Sequence, residues 1–300
     1  MKACCLFLLI FMNILISCAQ TDNKSTISIL SIGYNLSAPD KVYILPNVLQ
    51  EISDITEKDA ASIACIQDEH EIIFIYDINK NQITRQYNFN DSGDYEGIAR
   101  VDRTMYLLRS NGILTEITDF ESDKFKRTTF STGIPLKDNE GFCYDQKNNR
   151  LLIAPKETPE KDSENKGKRL IYGFNLSSKK LIKEPVFRFD PDEIGRFALE
   201  NNVKVPMKGK KGQQKEPDIK LRTSAIGFHP VTGRLFVLSG IEKLLFVFDM
   251  NGNIEAIERL NHDLFKQPEG ITFMKNGDMY ISNEGKKKSA TLVRFNYRPK

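Results

Sequence analysis

The sequence predicts an all-β protein, a single five-bladed β-propeller, and three observations carry that reading. The first is a repeat in which a polar, a small and an apolar residue recur: Ser53-Asp54-Ile55, Glu96-Gly97-Ile98, Glu140-Gly141-Phe142, Ser224-Ala225-Ile226 and Glu269-Gly270-Ile271, spaced by 43, 44, 84 and 45 residues. The second is that each triplet is followed by two further short apolar runs, such as MYLLRSNG (105–112) and ILTEITDF (113–120), or LFVLSG (235–240) and LLFVFDM (244–250). The third is the punctuation between runs, DQKNN, PVTG and MKNG among others, which is turn chemistry. Short β-branched and aromatic runs joined by such turns read as antiparallel hairpins, and a period near 44 residues with about four strands per unit is that of a propeller blade.

Each element follows in order. The spacing of 84 residues holds one blade, interrupted by the polar stretch KETPEKDSENKGK, and then a mixed insertion at about 190–222. Within it DEIGRFALENN has a helical pattern, and KVPMKGKKGQQKEPD reads as a solvated loop. A six-bladed ring of NHL or TolB type, with a degenerate blade in that insertion, is the alternative. Residues 41–46, KVYILP, form a lone strand ahead of the first repeat, while the last repeat supplies only three runs before the chain ends. If the lone strand becomes the outer edge of the last blade, no sheet edge is left loose.

Charge narrows the function. The chain has 300 residues, 43 Lys and Arg against 40 Asp and Glu, and a formal charge of +3, so it has no basic field for nucleic acid. Its first residues, MKACCLFLLIFMNILISCAQ, place Lys2 before an apolar run from Leu6 to Ile16, too short to span a bilayer. The run ends Leu15-Ile16-Ser17-Cys18, which resembles a bacterial lipobox. Residues 1–17 are therefore expected to be a lipoprotein signal peptide, Cys18 the lipidated residue, 18–40 a tether and 41–300 the propeller. The expected location is the envelope, exported and held to the bacterial membrane by lipid. Cys65 and Cys143 sit in apolar strand patterns and read as buried small hydrophobes.

The series EISDI, DYEGIA, DNEGFCYD, TSAIGFHP and QPEGITF, in this order and spacing on an exported chain, resembles the SdiA-regulated (YjiK-like) family of bacterial propeller proteins, over about residues 40–298. The resemblance implies five blades, membrane association and a calcium site on the propeller. Two departures stand out: Arg222 precedes Ser224 where an acidic residue is common, and Asn111-Gly112 replaces a frequent acidic pair.

Connectivity alone places the candidate site. The start of a blade's first strand and the end of its second lie on one rim of the axis. The first-strand starts bring Ser53, Glu96, Glu140, Ser224 and Glu269 there, and the second-strand ends bring Asp68, Glu69, Arg109, Lys156, Glu157, Ser239, Asn283 and Glu284. Glu-Gly pairs also serve as turn chemistry, but three carboxylates on one axis must protonate or find a cation. Calcium, with six to eight oxygen ligands, tolerates the irregular geometry of unequal blades. Three functions are open: a non-catalytic calcium-binding module that senses or scaffolds, a calcium-dependent hydrolase of esterase, lactonase or phytase type, and a metal-free protein-interaction platform. The sequence has no G-x-S-x-G elbow, zinc motif or phosphate loop. His70 follows a second-strand end, and His229 falls on the opposite rim. An envelope protein or a small anionic ligand is the partner these residues suggest.

Overall fold

A strand buried at every position, as Ser62–Gln67 and Leu244–Phe248 are, needs cover on both faces. The chain meets that need by standing five small antiparallel sheets side by side around one axis. The structure, a computed structural model, describes residues 32–68, 70–159, 164–211 and 214–299. Strand β1 (Lys41–Ile44) comes first, and blade 1 follows with β2 (Ile52–Asp59), β3 (Ser62–Gln67), β4 (Ile72–Asp77) and β5 (Gln82–Asn88). Blade 2 is β6 (Tyr95–Val101), β7 (Thr104–Arg109), β8 (Ile113–Thr118) and β9 (Lys126–Ser131). Blade 3 is β10 (Asn139–Asp145), β11 (Arg150–Pro155), β12 (Arg169–Asn175) and β13 (Lys180–Leu181), with β14 (Phe187–Phe189) also paired to β12.

The insertion contains α1 (Pro191–Glu200) and a small hairpin of β15 (Met207–Lys208) and β16 (Glu216–Pro217). The helix begins where the sequence signals it: the Asp190 side chain accepts from Asp192 N at the N-cap, and Pro191 opens the first turn. The hairpin lies where the sequence reads only as solvated loop; its two-residue strands are too short to leave a periodic pattern. Blade 4 is β17 (Ala225–Phe228), β18 (Leu235–Ser239), β19 (Leu244–Phe248) and β20 (Ile254–Arg259). Blade 5 is β21 (Pro268–Phe273), β22 (Met279–Asn283) and β23 (Thr291–Phe295), completed by β1 on its outside. The ring has five blades, and the insertion adds a helix where the alternative would have required a sixth.

The core is five apolar wedges, one between each pair of neighbouring blades. The insertion serves the wedge between blades 3 and 4, where Ile194 and Ala198 of α1 join Phe187, Phe189 and Phe248 in one buried cluster. The rings of Phe189 and Phe248 stack there at 3.9 Å. Cys65, in the wedge between blades 5 and 1, and Cys143, against the wedge between blades 3 and 4, are free thiols.

Closure runs as the lone strand suggests. Lys41 pairs with Arg294 and Ile44 with Thr291, so the first strand is the last blade's outer edge. Beyond it, Asp40 accepts from Asn296 N at 2.8 Å and forms an ion pair with Arg298. The tether expected over residues 18–40 needs a correction where it can be seen. From Ile32 the chain is docked: Ile32 and Leu36 are buried in the wedge between blades 4 and 5, and Tyr34 Oη donates to Gly277 O at 2.5 Å. Two aliphatic residues and a tyrosine gain more from that wedge than from solvent. Cys18 and the signal segment lie outside the described residues.

Deleting residues 41–46 bares the β23 edge and removes Tyr43 and Leu45, each 2% exposed, from the wedge between blades 5 and 1. Losing two such side chains costs several kcal/mol, so the melting temperature should fall by about 10 °C or more in a scanning calorimeter. A fall of only a degree or two would show that the ring closes without β1.

Candidate functional site

At the start of the first strand, four blades carry one residue too many for their partner strand. Ser53 is extra between the pairs Ile52–Gln67 and Asp54–Ile66, Glu96 between Tyr95–Arg109 and Gly97–Leu108, Glu140 between Asn139–Pro155 and Gly141–Ala154, and Glu269 between Pro268–Asn283 and Gly270–Ser282. These are β-bulges, which leave the extra residue unpaired and re-aim its side chain. In blade 4, Ser224 holds the register differently: its hydroxyl donates to Pro268 O of blade 5 at 3.1 Å and accepts from Gly240 N at 3.2 Å. That hydroxyl is spent on tying two blades together.

The small residue after the bulge is dictated by crowding at the axis. A Cβ on Gly97 would come 2.4 Å from Phe142 Cβ of the next blade, one on Gly141 2.7 Å from Thr223 Cγ2, and one on Gly270 2.6 Å from Ser282 Oγ. Blade 1 breaks the pattern with Asp54, a residue for which the sequence pattern suggests no role. It is 2% exposed, and its Oδ2 accepts from Ile98 N of blade 2 at 2.9 Å. Burial pushes this carboxyl well above the usual range.

The bulges bring Glu96, Glu140 and Glu269 into one electrostatic neighbourhood. Burial, then the charges of Glu140 and Asp94, raise the Glu96 carboxyl from the ordinary 4.5 to about 8. Burial raises Glu140 to about 7, with Lys156 pulling against it and Glu269 adding to it. Burial raises Glu269 as well, against the amide of Gln267 and the charge of Lys156. Lys156, from the end of the second strand of blade 3, makes an ion pair with Glu140 and is the cation that all three carboxylates feel. The sequence places Lys156 on this rim, but only the fold makes it the counter-ion of the glutamates.

The other second-strand residues serve their own loops. Arg109 pairs with Asp91 at 2.5 Å and donates to Tyr95 Oη at 3.0 Å. Glu157 accepts from Lys137 N, Ser239 donates to Glu242, and buried Asn283 donates to Thr291 Oγ1. Glu284 takes the Gln267 amide, and the charge of Asp68 adds to the effect of burial in raising its carboxyl. Glu69 lies outside the described residues. Ser53 is buried beside its bulge. Among the described residues no three acidic, histidine or cysteine side chains stand close enough together to hold a metal ion as folded.

One residue past the small position, Ile55, Ile98, Phe142, Ile226 and Ile271 form an apolar belt at a shared register, each buried. All five line a cavity of about 800 Å³ that the following residues of the first strands extend away from the glutamates. His229 stands there, on the rim opposite the carboxylates. Its Nδ1 accepts from Val231 N and Thr232 N, and burial, with Arg234 nearby, lowers its pKa to about 4. It is a neutral, packed histidine.

Residues 197–297 match the profile of the SdiA-regulated family, the family that the repeat series resembles. No curated protein sequence matches this chain. Among solved structures, the glutaminyl cyclase of Myxococcus xanthus is similar with a TM-score of 0.57 at 12% identity, over 87% of this chain and 97% of that one. A streptogramin B lyase has a TM-score of 0.48 at 11% identity, over 85% of this chain and 97% of that one. At these identities the likeness to the cyclase shows the fold alone.

The raised carboxyls fix the sign of a pH effect. The folded state holds protons on Glu96 and Glu140 that the unfolded chain releases near 4.5, so their contribution to stability is full below that value and is lost as pH rises through about 7 and 8. In chelator, the melting temperature should fall between pH 5.5 and 8.5, and Glu96→Gln should flatten part of that slope. An unchanged slope in the variant would mean that Glu96 titrates normally.

Proposed function

We propose that this chain is an exported, lipid-anchored binding propeller without catalytic activity, which senses or scaffolds in the cell envelope, and whose axial rim takes calcium through Glu96, Glu140 and Glu269. The observation that carries the reading is the gathering of three carboxyls from three blades, two of them with pKa values raised to about 8 and about 7. A cluster that holds protons at neutral pH is short of positive charge, and a divalent cation can supply it. As folded, Lys156 supplies that charge, and among the described residues no three acidic side chains are grouped to ligate one ion. Calcium therefore has to displace the Lys156 ammonium and draw the glutamates inward, and Ser224, whose hydroxyl is committed, contributes at most its main chain. Ser53 is the residue of the remaining bulge that would add a hydroxyl.

Because calcium competes with protons and with Lys156 for the same oxygens, its stabilising effect should grow between pH 6 and pH 8.5. At 100 times the dissociation constant it amounts to about 2.7 kcal/mol. Calcium should raise the melting temperature of the wild type and of Lys156→Met, the latter at lower calcium, while Glu140→Gln should lose the response. No shift with calcium in either wild type or Lys156→Met would end the calcium reading and leave the metal-free platform.

The anchor rests on the Leu15-Ile16-Ser17-Cys18 run. Cys18→Ser should leave the precursor unprocessed or move the protein to the soluble fraction, because stable attachment depends on the added acyl chains. Fractionation with a high-salt wash reads this out; a processed variant that stays in the membrane fraction would show that lipid on Cys18 is not what holds it.

A further inference from the structure

The rim between blades 4 and 5 bears a second feature that the carboxylates do not explain. A pocket of about 320 Å³ opens there, lined by Arg222, Lys243, Lys266 and Lys286, with Lys156 and Glu269 at its border with the glutamate cluster. Each cation comes from a separate segment: Arg222 precedes β17, Lys243 lies in the β18–β19 turn, Lys266 precedes β21, and Lys286 follows β22. Among the described residues, Arg222, Lys243 and Lys286 have no carboxylate within ion-pair distance, and Lys266 reaches only exposed Asp263 at 3.4 Å. Glu242, the acidic side chain of the same turn, is used up: it accepts from Lys220 N, Arg222 N and Ser239 Oγ. The Lys243 ammonium spends one hydrogen bond on the Lys266 carbonyl at 2.5 Å. Burial, with Lys286 and Lys266 nearby, lowers its pKa although Glu269 opposes the shift.

Four cations converging in a concave site with one carboxylate, Glu269, at its border repel one another, and that repulsion is relieved by an anion carrying more than one negative charge. A guanidinium beside ammonium groups suits phosphate, which offers three oxygens to fork and point donors together. The pocket is of the size that holds a small organic ligand. Beside the cations, the Glu269 carboxylate and the Gln267 side-chain carbonyl, which has no hydrogen-bond partner among the described residues, are placed to accept from hydroxyl groups. We propose that this pocket binds a phosphorylated polyol, its phosphate held by Arg222, Lys243 and Lys286 and its hydroxyls by Glu269 and Gln267. Such a group occurs on free sugar and glycerol phosphates and, as a phosphodiester with one charge and two free oxygens, in the headgroup of phosphatidylglycerol. The site shares Glu269 and Lys156 with the proposed calcium cluster but needs no metal.

Calorimetric titration of the full chain in detergent, with EDTA present, separates this site from the calcium reading. Glycerol 3-phosphate should bind, inorganic phosphate more weakly, and glycerol not at all. Lys243→Gln and Arg222→Gln should each weaken glycerol 3-phosphate about tenfold, the loss of one charge-assisted contact, whereas Lys243→Arg should retain most of the affinity. If Lys243→Gln fails to fold by circular dichroism, exposed Lys286→Gln reports in its place. No heat with glycerol 3-phosphate up to tens of millimolar, or equal affinity in the wild type and the folded Gln variants, overturns the proposal. In a final arm, phosphatidylglycerol vesicles compete with bound glycerol 3-phosphate, and phosphatidylcholine vesicles serve as the control. Displacement by the first alone assigns the site to a lipid headgroup, and no displacement by either assigns it to a soluble ligand; both support the pocket.

Discussion

Everything at the axis follows from how closely five inner strands must approach one another. Where Gly97 faces Phe142, and Gly141 faces Thr223, there is no room for a β-carbon. The chain satisfies that limit with a small residue, and the bulge immediately before it takes up the extra backbone and leaves one side chain outside the ladder. Asp54 is the exception that shows the same constraint from another side. In blade 1 the small position carries a carboxyl, and it is tolerated because Ile98 N reaches across to it. A buried acceptor with a backbone donor is a sound joint, whereas an orphaned one would weaken the ring.

The same crowding sets the electrostatics. Side chains expelled from the ladder in three blades meet on one rim, partly stripped of water, and their carboxyls hold protons more tightly than in solution. A few residues away the sign reverses, in the gap where Arg222, Lys243 and Lys286 converge. The rim is thus divided, acidic towards blades 2 and 3 and basic between blades 4 and 5, with Lys156 and Glu269 on the boundary. The apolar belt beneath, from Ile55 round to Ile271, separates this polar face from the cavity that holds His229.

Much of this was legible in the sequence because propeller repeats write their geometry as spacing. The five triplets, the count of blades and the closing role of residues 41–46 all follow from periodicity, and the rim positions follow from connectivity. What spacing could not convey was partnership. That Ser224 is consumed by Pro268 O, that Arg109 turns to Asp91, and that Lys156 sits among the glutamates all depend on side-chain reach across blades. The docking of Ile32, Tyr34 and Leu36 escaped because a short apolar segment without period looks like linker. The basic pocket escaped because its cations are scattered over 65 positions, from Arg222 to Lys286, and belong to no repeat.

The pairing of β1 with β23 has a consequence for the order of events in the life of the chain. The contact between Asp40 and Asn296 joins residues 256 positions apart. While the polypeptide is being made, its first strand has no partner until the last one emerges. Blades 1 to 4 can form as local hairpins in the meantime, but the ring stays open, and the wedge between blades 5 and 1 stays wet, until the C-terminus arrives. The slow step in maturation is therefore expected to be a single latching event, and a chain truncated near residue 290 would be left as an unlatched arc with an adhesive edge, fit for proteolysis or aggregation.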